Sequence, residues 1–198
     1  MIIGLTGGPG AGKTLAARFL EEEGAVVISG DEAGKKVLEK YPSTLKKLKM
    51  IFGESIMDDR GRLDRRKLGR KVFANPKALR KLNEIIHPYL LKILRAEIRR
   101  HKARWPHGLI VVDAALIYEW GIEDWFDRVL VVTGNRNNRI ERLIRSGLTR
   151  KEAENRIASQ ISQRKKAAMP DFVIENNGKK SELKKKVLRF LNGLNGHR

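Results

Sequence analysis

The chain has 198 residues, a net charge of +19 and no cysteine. That length supports one domain with a substantial core and room for an inserted subdomain, while the lack of cysteine excludes disulfides, thiolate metal sites and cysteine nucleophiles and suits an intracellular setting. No apolar stretch approaches the ~20 residues that a spanning helix needs, and the first residues read as a strand rather than a cleavable leader, so a soluble cytoplasmic protein without a membrane partner is expected.

The first predicted element is the apolar run Ile2–Thr6, a strand. It leads directly into Gly7-Gly8-Pro9-Gly10-Ala11-Gly12-Lys13-Thr14, which fits the phosphate-cradling pattern G-x-x-x-x-G-K-[ST]. Glycines let the backbone wrap closely and aim N–H groups at oxygens, Lys13 can reach the outer phosphates, and the Thr14 hydroxyl can ligate Mg²⁺. A helix beginning near Lys13 adds its positive dipole end and carries Leu15, Phe19 and Leu20 on one apolar face. The alternative, an ordinary glycine-rich turn, does not account for strand, motif and amphipathic helix in that order. Nucleoside triphosphate binding by Gly8, Gly10, Ala11, Gly12, Lys13, Thr14 and Leu15 is expected.

Further strands are predicted at Ala25–Ile28, Leu109–Asp113, Val129–Thr133 and Phe172–Ile174. All are too β-branched and unbroken for half-exposed strands, so a five-stranded parallel sheet flanked by helices follows, an α/β fold. Between the second and third strands, roughly 42–104, apolar residues recur at helical spacing, as in Leu79, Leu82, Ile85 and Ile86 and then Leu90, Leu91, Leu94 and Ile98. Charge is concentrated there: residues 35–105 carry a net +15, against −3 for 1–34 and +7 for 106–198. Such a surface attracts phosphate, whether of nucleic acid or of a polyanionic small substrate, although solvated helix faces account for part of it. His87-Pro88 reads as a break between helices. The segment 136–166 is again helical and basic, interrupted at Gly147-Leu148-Thr149, where Thr149 and Glu152 make a capping box. A last amphipathic helix over 181–192 places Leu183, Val187, Phe190 and Leu191 on the core.

In such a sheet the ligand crevice opens at the carboxyl ends of the strands. Asp31, three residues past Ile28, could orient or deprotonate a substrate hydroxyl, or merely cap a helix beginning near Glu32. Asp113, ending the third strand, could hold Mg²⁺ through water or simply support its loop. Arg139, Arg142 and Arg145 recur every third residue along a helix, with Arg156 on the next, and guanidinium forks suit the charge spread in phosphoryl transfer. An arginine-bearing lid is expected over 135–166, beside a core at 1–38, 106–134 and 167–198 and a helical substrate-binding insertion at 39–105.

Taken together, these residues resemble the dephospho-coenzyme A kinase family over nearly the whole chain. The resemblance rests on Ile3-Gly4-Leu5-Thr6-Gly7 leading into the phosphate loop, Asp31, Gly61-Arg62-Leu63-Asp64-Arg65 with Val72-Phe73, His87-Pro88, and Leu116-Ile117-Tyr118-Glu119. It continues through Gly147-Leu148-Thr149, Arg156-Ile157-Ala158-Ser159-Gln160 and Asp171-Phe172-Val173-Ile174-Glu175-Asn176. It implies a phosphate-loop kinase fold, ATP and Mg²⁺ as cofactors, and phosphorylation of the ribose 3′-hydroxyl of dephospho-CoA, the last step of CoA synthesis. It further implies Asp31 as general base, Lys13 on the ATP phosphates, Thr14 at the metal, Asn176 near the adenine and the arginine segment as lid; Lys13, Arg142 and Arg145 are the expected catalytic partners, and Asp113 joins Thr14 at the metal on its strand-end position. Asp31, Lys35, His87 and Arg139 fall to the substrate, and a monomer or small homo-oligomer is expected.

This sequence departs from the family pattern in places. Ser29 stands where the first acid of an Asp-x-Asp pair is usual, and Lys35 replaces an arginine, keeping charge but losing a bidentate fork. The lid stretch Arg142–Gly147 is one residue shorter than usual, Arg164-Lys165-Lys166 replace the customary acids, and Pro170 replaces an alanine. Another nucleotide or nucleoside kinase is the alternative, and an ATP-regulated nucleic-acid binder a weaker one. Nucleic acid is not the expected partner, since the basic charge equally suits a polyanionic small substrate, and a motor ATPase is disfavoured because the third strand ends Val112-Asp113-Ala114 without the acid that activates water.

Overall fold

The β-branched runs pair into one parallel sheet in a computed structural model that describes residues 1–195. In chain order the elements are β1 (Ile2–Thr6), α1 (Lys13–Glu22), β2 (Val26–Ser29), α2 (Gly30–Lys40), α3 (Pro42–Phe52), α4 (Arg65–Phe73), α5 (Pro76–Arg104), β3 (Ile110–Asp113) and α6 (Ile117–Trp120). They continue with β4 (Arg128–Thr133), α7 (Arg136–Arg145), α8 (Arg150–Ala158), α9 (Gln163–Ala167), β5 (Phe172–Glu175) and α10 (Lys180–Asn195). Short 3₁₀ turns lie at Glu54–Ile56 and Glu123–Trp125.

Contacts divide the chain into two units, Met1–Ser29 with the chain from Ile98 onward, and Gly30–Glu97. The helical unit therefore begins before the expected insertion boundary at 39, and the expected lid segment 135–166 clusters with the sheet. The last three residues of the expected core segment 167–198 lie outside the described residues.

In the sheet unit the strand order is β2-β3-β1-β4-β5, all parallel. The chain leaves β1 for one side of the sheet and later returns to the other side. The carboxyl end of β1 is thus the switch point where a parallel sheet opens a crevice. Ile3, Leu5, Phe19, Leu20, Val111, Leu130, Val132, Leu183 and Val187 form the core between β1, β3 and β4 and the helices α1 and α10. Strand starts are fixed by carboxylates: Ile2 N donates to Asp127 Oδ2 at 2.7 Å and Val129 N to Asp171 Oδ2 at 2.8 Å.

The expectation that every strand is covered on both faces fails at β5. It is an edge strand in which only Ile174 is buried, and Val173 is 46% exposed. Phe172 meets Phe190 of α10 edge-on at 5.0 Å between ring centroids, so the cover comes from one side.

The helical unit has its own core, in which Leu48, Phe52, Ile56, Leu68, Val72 and Ile85 come together. Asp64 caps α4 by accepting from Arg66 N and Lys67 N at 2.9 and 3.0 Å, and the Met57–Leu63 bridge closes the turn before it. This gives Gly61-Arg62-Leu63-Asp64-Arg65 a local structural explanation. The break expected at His87-Pro88 is absent: α5 continues through Pro88 for 29 residues. A proline inside a helix costs roughly 3 kcal/mol, and buried Ile85, Leu90, Ile93 and Leu94 on both sides of it offset that cost.

Leu48 is fully buried and Met50, two residues on, is 79% exposed. Leu48→Ala should lower the unfolding free energy by about 3 kcal/mol in urea titrations, while Met50→Ala should change it by less than about 0.5 kcal/mol.

Candidate active site

Gly7–Gly12 join β1 to α1. Gly12 takes the helix N-cap position in the left-handed region (φ 102°), with no side-chain cap and no acid in the first turn of α1. The opening amides of a helix have no intrahelical acceptor, and here the first turn carries no acid to meet the positive dipole end. A helix start of this kind is suited to an anion. Gly12 must be glycine on two counts, since a Cβ there would also collide with Asn176 Nδ2. Lys13 is half-buried and Thr14 exposed at the first turn.

A loop that turns its amides one way turns its carbonyls the other, and those need donors. Arg139 Nε donates to Pro9 O at 2.9 Å. Arg142 Nη1 reaches Gly10 O at 3.2 Å and Ala11 O at 3.4 Å, while its Nη2 donates to Asn176 O at 3.0 Å. Asn176 Nδ2 donates to Ala11 O at 2.8 Å, and its backbone N to Thr133 O at 2.8 Å. Burial, and then the neighbouring Arg136 charge, lower the Arg139 pKa to about 10, which still leaves the guanidinium charged at neutral pH. Arg142 is lowered as well, again by burial first and then by Arg145.

The expected row of arginines therefore divides. Each three-residue step turns a helix by about 300°, so Arg145 stands about 120° around from Arg139. Arg139 is buried on the loop, whereas Arg145 is exposed and 3.6 Å from Glu141. Asn176, which resemblance put near the adenine, here supports the loop from within the core.

At the carboxyl edge of the sheet, Asp113 is the register partner of both Leu5 and Ser29. Asp31, Lys35 and His87 belong to the helical unit. Asp31 is exposed in the first turn of α2; since that helix starts at Gly30, Asp31 is not its N-cap. Lys35 pairs with Glu32. His87 is half-buried in α5, and burial lowers its pKa. The Thr149–Glu152 capping box is present at the start of α8.

One buried cation escaped the sequence reading. Lys166, counted there only as a basic departure, has 0% exposure. Its Nζ lies 2.9 Å from Glu119 Oε1 and donates to Ala115 O at 2.6 Å and Gln160 Oε1 at 3.3 Å. Gln163, one turn earlier on α9, accepts from Gly134 N at 3.2 Å through Oε1. Gln163 and Lys166, three residues apart, share one face of this short helix, but that spacing alone does not mark either as buried.

Comparison with known proteins agrees with this geometry. A family model described as dephospho-CoA kinase matches residues 1–182. A dephospho-CoA kinase of Anaeromyxobacter dehalogenans (strain 2CP-C) is 39% identical over 198 residues, covering 100% of this chain and 93% of that relative. The crystal structure of TT1252 from Thermus thermophilus superposes with a TM-score of 0.76 at 31% identity, covering 98% of this chain and 97% of that one. The shikimate kinase structure from Bacteroides thetaiotaomicron, at 15% identity, TM-score 0.52 and 98% coverage of both chains, shares the fold alone. The sheet and its phosphate loop are those of the phosphate-loop kinases, and the chain belongs to the dephospho-CoA kinase family.

Proposed function

We propose that this protein transfers the γ-phosphoryl group of ATP to the ribose 3′-hydroxyl of dephospho-CoA, giving CoA and ADP, the last step of CoA synthesis. The observation that carries the proposal is the α1 terminus in a chain of this family: an N-cap glycine without side-chain cap or acid, braced from behind by Arg139, Arg142 and Asn176. Lys13 and the loop amides hold the ATP phosphates. The hydroxyl oxygen attacks the γ-phosphorus, the bond to the bridging oxygen breaks, and ADP leaves. Asp31 orients the hydroxyl and takes its proton, late rather than early, because a loose transition state calls for little deprotonation at attack.

The donor set fits a hard divalent cation. Thr14 offers a hydroxyl at the first turn of α1 and Asp113 a carboxylate at the end of β3, oxygen ligands of the kind Mg²⁺ takes while keeping several waters. Thr14 would hold it directly and Asp113 through water, and the ion would supply neutralising charge at the phosphates. Arg145, exposed on α7, is assigned to the transferring group on resemblance alone, whereas Arg142 acts on nucleotide through the loop. Lys35, His87 and Arg139 are assigned to the substrate side on resemblance. The positive charge of residues 35–105 suits an anionic acceptor.

Asp31→Asn should lower kcat by about 100-fold or more while leaving KM for ATP within about twofold, read by chromatography of ADP and CoA. Equal loss of both would count against the role. Arg142→Gln should raise KM for ATP about tenfold, because it removes a charged donor to buried carbonyls. An acceptor panel of dephospho-CoA, AMP, a nucleoside and RNA tests the substrate. Turnover on AMP or the nucleoside alone would mean that Ser29 and Lys35 redirected the kinase, and salt-sensitive RNA binding without turnover would favour the nucleic-acid reading.

A further inference from the structure

A fully buried lysine is rare unless paired, and Lys166 is paired in an uneven way. Glu119 faces it through Oε1, which also accepts from Ile161 N at 3.1 Å, while Glu119 Oε2 is buried without a hydrogen-bond partner. Ala115 O, which takes the Lys166 ammonium, also accepts from Thr6 Oγ1 at 3.1 Å. Thr6 is the last residue of β1 before the phosphate loop. One carbonyl therefore joins three pieces of the molecule: the strand that feeds the loop, the turn after β3 that follows Asp113, and helix α9.

The same helix brings Gln163 to the loop. Its Oε1 is fixed by Gly134 N, so its Nε2 points elsewhere. That nitrogen is buried without a hydrogen-bond partner and lies 3.3 Å from where a Cβ on Gly8 would stand, and Arg139 Nη2 meets that position too. A buried amide donor directed at the loop carries information only if α9 stays in place. Within α9 the Lys166 ammonium is the anchor. Burial lowers its pKa, the Glu119 carboxylate opposes that shift, and the positive charges of Lys13 and Arg139 lower it further.

We propose that Lys166 is a positioning residue for phosphoryl transfer: its buried ammonium, paired with Glu119 and bonded to Ala115 O, holds the end of β1 and helix α9 in the register that sets Lys13 and Gln163 about the phosphate loop. The proposal rests on the kinase reading above. It assigns Lys166 no contact with substrate, and it makes the positive charge, not the bulk of the side chain, the element that matters. A purely structural ion pair would behave differently, since replacing both members with neutral groups of similar volume often restores stability.

The experiment compares wild type, Lys166→Met and the double variant Glu119→Gln/Lys166→Met for melting temperature, kcat and KM of both substrates. Lys166→Met alone strands a buried carboxylate and should melt well below wild type. The double variant should regain most of that loss, yet its kcat should stay about 100-fold down, the scale of a misplacement of roughly 1 Å at the reacting groups, with KM for dephospho-CoA within about threefold. A double variant that recovers kcat to within about threefold of wild type overturns the proposal, as does a loss confined to KM. Wild-type turnover of dephospho-CoA in the same assay judges the kinase reading separately.

Discussion

A backbone loop can offer its amides to an anion only if its carbonyls are satisfied on the far side, and that constraint organises the sheet unit. Pro9, Gly10 and Ala11 turn three carbonyls inward. Left unmet, each would cost about 1–3 kcal/mol. The donors come from segments more than a hundred residues away, α7 and the residue after β5. Their positions in turn depend on β4 pairing with β1, and β5 with β4, in a fixed register. The order of the strands and the chemistry of the loop are therefore one requirement seen at two scales.

The helical unit answers a different problem. Its apolar residues converge on a core of their own, which lets a dense set of lysines and arginines face outward. Local ion pairs such as Lys36–Glu97 and Arg62–Asp58, each at 2.9 Å, relieve only part of the repulsion. Exposed pairs of this kind are worth little individually, so the self-repulsion is borne chiefly by Leu48, Phe52, Val72 and their neighbours.

The phosphate loop, the five strands, the capping box at Thr149 and the amphipathic last helix were legible because each depends on neighbours in sequence. Features set by distant partners were not. Arg139 and Arg142 look alike on a helix, and only the fold reveals that their targets are carbonyls on the back of the loop while Arg145 turns to solvent. Lys166 sits in a basic run that reads as solvated surface, and nothing local announces a carboxylate and a carbonyl waiting for it. Pro88 signalled a break by its own stereochemistry, but packing on both sides of it decided otherwise. β5 has the composition of a buried strand and the position of an edge, and position is not written in composition.

The bare N-cap of α1 has a thermodynamic side. Phe19 and Leu20, at the heart of the sheet unit, hang on a helix whose first turn lacks a side-chain cap, which relative to the glycine present would add a few tenths of a kcal/mol. An anion bound there completes the helix. A ligand held only by the folded chain raises its stability by RT ln(1 + [L]/Kd), so nucleotide joins the folding equilibrium of the core as well as the reaction. The chain leaves the first turn of its central helix without a side-chain cap, so the nucleotide proposed to bind there would add to the stability of the core as well as serve the reaction.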